Sequence, residues 1–280
     1  MSAITQVEPA APAQVERPVY RVTGRRVLRS EWAKLWTLRS TWITLGLALL
    51  FMVAFGLIAS AHYKSGIGPG KHMDRDFASA TAVSISLFGT NFAQLALGVL
   101  GVLVIAGEYS TGMIRSTLAA VPRRLPVLWS KAAVYGVVAL VVGSVGAFAA
   151  FLFGSLVISG TPAALSLSDT GVVRSLLGAG LFLGLVGVIG VALGAILRSV
   201  AGGISVLVAT LMLIPGLISL LPSSWRDNIS PYLPSHAGES MFALHHTAPE
   251  LSAGAGLAVF LGWTVLALAG AAYRLTRSDA

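Results

Sequence analysis

Six stretches of this sequence, at 42–61, 82–106, 131–159, 171–197, 200–221 and 251–273, are predominantly apolar over about 20 residues or more. A hydrocarbon core about 30 Å thick needs roughly 20 residues of helix, because each residue rises about 1.5 Å. Each run is therefore expected to cross a membrane. The predicted fold is all-α, a polytopic membrane protein with six transmembrane helices. Composition excludes the soluble reading. Charged residues make up only 11% of the chain and apolar ones 55%, whereas a soluble domain carries about 25% charged residues to cover its surface.

An even number of crossings leaves both ends on one side, and Lys and Arg identify that side. With the N-terminus inside, only Lys64, Lys71, Arg75, Arg174 and Arg226 of the 19 basic residues fall outside. The chain is thus expected in the cell membrane with its N- and C-termini cytoplasmic. A net charge of +8 would suggest nucleic acid in a soluble protein, but here insertion accounts for it and no nucleic-acid partner is expected. The absence of cysteine rules out a disulfide framework, a thiol nucleophile and thiolate metal ligands. Residues 1–23 are rich in Pro, Ala and Gln, lack the apolar core of a signal peptide, and read as a disordered cytoplasmic tail. Residues 24–280 read as one six-span domain.

Three segments outside the spans carry pattern. Residues 24–40 place Leu28, Trp32, Leu35 and Trp36 on one helical face, with Arg25, Arg26, Arg29 and Lys34 mainly on the other. That predicts an amphipathic helix in the interface, its indole rings among lipid headgroups. The cytoplasmic connection 107–130 is longer than two antiparallel helices need. Its residues 111–120 can form a short helix that Pro122 ends, with a small polar and basic surface suited to a soluble partner. The outer loop 222–250 is rich in Pro with apolar residues interspersed, and is expected to form short interfacial or re-entrant helices. Within the spans, Pro215–Gly216 is the one plausible break.

Chemistry-bearing constellations are sparse. Residues 65–72 come nearest to a phosphate loop, but Ser65 stands where the first glycine is required and His72 where Ser or Thr is required. His236, Glu239, His245 and His246 cluster in the outer loop without a His-Glu-x-x-His pattern, and read as solvated polar residues. No G-x-S-x-G elbow occurs. No catalytic or metal-binding residue is assigned, no cofactor is expected, and the chain is expected not to be an enzyme. Asn91 and Gln94 share a face of the second span and must point into protein, as an interhelical hydrogen bond or a lumen wall. Gly180, Gly184, Gly187 and Gly194 make a small-residue stripe that lets another helix approach closely, from this chain or a second copy. Glu108 ends the second span, where an unpaired charge is costly. It is expected to pair with a nearby Arg and tie the helix end to the connection.

Two stretches, Glu31 to Trp42 (EWAKLWTLRSTW) and 107–132 (GEYSTGMIRSTLAAVPRRLPVLWSKA), resemble the permeases of ABC-2 type transporters. These are the membrane subunits of ATP-binding-cassette systems, often exporters. The YLPS stretch at 232–235 is similar to the family as well, and the Gly-Glu-Tyr start of the 107–131 segment with its basic end is the most specific part. The resemblance implies a connecting helix at about 24–40, carrying Leu28, Trp32, Leu35 and Trp36 in the interface. It also implies a coupling helix at about 109–122, with Glu108, Tyr109, Thr111, Met113, Ile114, Arg115, Arg123 and Arg124 as the residues that couple it to an ATPase. Asn91, Gln94, Gly180, Gly184 and Gly187 keep the reading their own spacing gives, a pathway or helix packing. Two separate ATPase subunits, a second permease chain and membrane lipid are the implied partners, with ATP hydrolysis on the ATPase. An ion-coupled secondary carrier is the alternative, but it would need a carboxylate near a helix centre, and none lies there. A membrane enzyme lacks its nucleophile or metal set. A non-transporting ABC-type sensor or resistance subunit fits the same residues.

Overall fold

The computed structural model describes residues 23–67, 80–120, 124–245 and 249–277. Most of the tail 1–23, residues 68–72 of the phosphate-loop-like stretch, Arg123 and His246 lie outside the described residues. Among the described residues every regular element is helical, and six helices are long and apolar enough to cross a membrane. We number them spans one to six: Arg39–Gly66, Ala82–Ser110, Arg124–Val157, Val172–Leu197, Val200–Ser219 and Ala253–Arg277. Spans one and three begin before their apolar runs do. Arg39 and Arg124 sit on the added turns, at the polar ends of otherwise apolar helices. The N-terminal helix Gly24–Thr37, the connection after span two and the end of span six gather at one face. We call this the terminal face.

Span four is the most enclosed of the six, held between spans two and three. Its glycines explain why. A side chain at Gly184 would meet Leu140 Cβ at 2.9 Å, and one at Gly187 would meet Tyr135 Cε1 at 2.8 Å. Gly180 likewise abuts Ser144. The partner of this stripe is therefore span three of the same chain. One quarter-turn round the helix, Gly190 and Gly194 rest on the backbone of Gly98 and Val102 in span two. Backbones this close replace lost side-chain area with dispersion contact and matched surfaces. Tyr135 ties span three directly to span two, donating its buried hydroxyl to the carbonyl of Leu97.

Spans four and five are joined by only Arg198 and Ser199. Arg198 takes the left-handed conformation (φ 53°) that closes a helix C-terminus, and Ser199 caps the next helix by accepting from the Gly202 N–H at 3.3 Å. Span five is the least enclosed. Its α-helix gives way at Ala209–Leu213 to a π-turn before resuming at Ile214. Pro215 is the cause. It has no N–H to offer the preceding turn and its ring crowds the carbonyl there, so the helix widens just upstream of the break expected at Pro215–Gly216.

On the opposite face, residues 222–245 form the short helices Ser223–Ile229 and Pro234–Phe242, joined by the 3-10 turn Ser230–Tyr232. Helix 234–242 is buried against spans four and six through Ala237, Gly238 and Met241. Arg174 closes its C-terminal end, donating to the carbonyls of Met241 (3.4 Å) and Ala243 (2.6 Å), the site where a cation suits the helix dipole. Trp263 of span six adds a bond to the Tyr232 carbonyl at 3.0 Å.

Candidate functional site at the terminal face

The N-terminal helix has two flanks. Val27, Glu31 and Leu35, spaced four apart, form the buried one, which packs on span three. It is a second flank beside the face expected from Leu28, Trp32, Leu35 and Trp36. Only Leu35 of those four is buried, while Leu28 is 40% exposed and Trp32 is 45% exposed. Both flanks are apolar apart from Glu31, one against span three and the other exposed. Trp36, half-buried, joins Trp32 and Trp42 in a ladder of ring centroids 5.3 and 4.5 Å apart, and Trp42 Nε1 donates to the Trp36 carbonyl. The ladder carries the helix into span one.

Glu31 is on the buried flank because its partners are there. Lys131, at the second turn of span three, donates to Glu31 Oε2 and to Glu108 Oε1, each at 2.6 Å. Lys34 reaches Glu31 Oε1 at 2.9 Å and Glu108 Oε1 at 3.0 Å. The side chains of Lys131, Glu31 and Glu108 are 1%, 5% and 5% exposed, while Lys34 closes the outer side at 30%. Two carboxylates and two ammonium groups thus form a neutral tetrad between the N-terminal helix, the end of span two and the start of span three. Burial opposes the charge on Lys34, but its hydrogen bonds to Glu31 and Glu108 outweigh that and hold its pKa above the ordinary lysine value. The ion pair expected at Glu108 is present, with two lysines and not an Arg as partners. It ties the helix end to the N-terminal helix and span three.

Glu108 lies one turn before a sharp corner. Thr111 closes span two, with its Oγ1 donating to the Gly107 carbonyl at 2.9 Å, and Gly112 (φ 74°) turns the chain into the helix Met113–Ala120. Ile114 is buried and anchors that helix, while Met113 and Arg115 point outward. Tyr109 lies under the guanidinium of Arg198, 5.2 Å from its ring centre, which places the end of span two against the link between spans four and five. Arg124 donates to the carbonyl of Leu275 at the end of span six, 3.2 Å away. Glu108, Tyr109, Thr111, Ile114 and Arg124 are therefore brought together around one short surface helix.

Asn91 and Gln94 belong elsewhere, toward the opposite face. Their amides donate to backbone carbonyls of their own helix, Phe88 at 3.4 Å and Asn91 at 3.2 Å, so neither makes the interhelical bond considered for them. Asn91 is exposed and Gln94 is buried. The residues that sequence reasoning left out of the site are Glu31, Lys34 and Lys131. Two signals pointed to them: an acidic residue i+4 from Val27 and i−4 from Leu35, and a lysine at the head of an apolar run.

No curated protein matches the chain. A family model does, that of the ABC-2 family transporter protein, over residues 27–216. The match opens at the first buried residue of the N-terminal helix, takes in the whole tetrad and the surface helix, and ends just past the π-turn in span five. A six-span helical chain whose matched region contains this joint belongs to the ABC-2 family of transporter membrane proteins.

Proposed function

We propose that the chain is the permease subunit of an ATP-driven exporter in the cell membrane, with the terminal face cytoplasmic. It pairs with a second permease chain and two ATPase subunits. Helix 113–120 is the surface that a soluble ATPase pushes, and the N-terminal helix is the interfacial brace beside it. The buried tetrad carries this reading. A displacement delivered to helix 113–120 passes through the corner at Gly112 to Glu108, and from Glu108 to Lys131 and Glu31. It therefore moves the N-terminal helix, span two and span three as one body. A surface loop that only linked two helices would need no such joint.

The chain's own residues do no chemistry in this scheme. Met113 and Arg115 make contact with the ATPase, Ile114 keeps the helix seated, and the tetrad holds the geometry. Isolation from native membranes in mild detergent tests the proposal. A soluble subunit with a phosphate-loop motif should co-purify in stoichiometric amount and be lost when 113–116 are altered. Arg115→Glu is expected to insert normally while losing most of the transport and of the ATPase stimulation by the permease. Unchanged stimulation and transport in that variant would remove helix 113–120 from the coupling role.

A further inference from the structure

At the face opposite the N-terminal helix, the start of span two, helix 234–242 and the entry to span six enclose a cavity of about 580 Å3. Pockets that hold drug-sized molecules run roughly 300–1,000 Å3. Part of its wall is apolar and aromatic, formed by Val83, Leu87, Phe88 and Phe242. Glu239, Glu250 and Asn91 supply polar groups. Arg226 and Asp227 also face the cavity but pair with each other at 3.3 Å, so they add no net charge. His236 hydrogen-bonds with Ser230 Oγ at 3.3 Å, and burial lowers its pKa although Glu250 opposes this, so it is neutral at pH 7.

That leaves Glu239 and Glu250, neither of which makes an ion pair among the described residues. Glu239 is pushed up to about 7, first by burial of its carboxyl and then by the charge of Glu250. The residue is nonetheless exposed, and the hydration this brings moderates the first effect. Two exposed carboxylates with no ion-pair partner among the described residues, set beside aromatic rings in a cavity of this size, give it the charge and the walls to attract a cation.

We propose that this cavity binds amphipathic organic cations, their apolar body against Phe88 and Phe242 and their positive centre between Glu239 and Glu250. The binding requires no ATPase; that the bound cation is cargo rests on the permease reading above.

The test uses the purified full chain in detergent, dialysed against tetraphenylphosphonium or tetraphenylborate, two ions of like size and shape but opposite charge, with empty micelles subtracted. Saturable binding of the phosphonium and not of the borate is expected. The double variant Glu239→Gln/Glu250→Gln should lose at least about tenfold in phosphonium affinity, as removal of two nearby charges requires, and Glu239→Asp should retain it. Equal uptake of both ions, or unchanged affinity in a double variant with a normal size-exclusion profile, would overturn the proposal. Should the double variant misfold, the unmodified chain decides the question. Its phosphonium affinity must fall between about pH 8 and about pH 4 as Glu239 takes up a proton, and a flat profile refutes the site. Loss of ATPase co-purification with phosphonium binding intact would remove only the cargo role, and the converse would remove only the cavity.

Discussion

Lys131 holds two buried carboxylates with one ammonium group, and its removal leaves both facing each other with only half-exposed Lys34 between them. Breaking a buried ion pair from one side costs about 3–5 kcal/mol, whereas replacing the whole set by apolar groups is far milder. Lys131→Met should therefore lower thermal stability in detergent by roughly that amount, and Lys131→Met/Glu31→Met should recover part of it. Lys34 acts differently. Its raised pKa means that its stabilising contribution is fully present below 10.5, the ordinary lysine value, and is lost as pH rises through the higher folded value. Melting curves of the wild type and Lys34→Met should accordingly stay separated by a constant interval through neutral and mildly alkaline pH. They should converge only in strong alkali. Glu108 was legible in the sequence as a charge that needed a partner. The partners were not, because Lys34 lies 74 residues from it and Glu31 lies 100 residues from Lys131, and no local pattern encodes a contact between two helices and the end of a third.

At the scale of elements, the six spans were readable because length and apolarity are the very properties a bilayer demands of a helix. The faces of those helices were harder to read. The N-terminal helix packs one flank on span three and leaves another, with Leu28 and Trp32, exposed, and a single amphipathic face could not show both. Small-residue stripes were visible, but only the structure shows that Gly180, Gly184 and Gly187 meet span three. Their cost to substitution follows from that contact. Gly184→Val must displace Leu140 and should destabilise the fold by about 1–3 kcal/mol, as overpacking does. Gly216→Ala, in the open part of span five, meets nothing within 4 Å and should be neutral or slightly stabilising. Chemical denaturation of the two variants side by side checks both expectations.

For the whole molecule, the distribution of basic residues remains the basis for orientation, and the absence of cysteine makes a clean assay available. Ser116 lies exposed on the surface helix of the terminal face and Ser224 lies exposed on the opposite one. In intact cells an impermeant maleimide should label Ser224→Cys at once and Ser116→Cys only after permeabilisation. The reverse pattern would invert the proposed topology. The glycine seams also determine how such a molecule deforms. Where backbones come this close on both sides of span four, sliding one helix past another would break many contacts at once, so spans two, three and four hold together as one piece. Span five, the least enclosed and joined to span four through Arg198 and Ser199 alone, is the element with most freedom to tilt against them. The contact of Arg198 with Tyr109 fastens that link to the end of span two, so the joint between spans four and five shares an anchor with the surface helix.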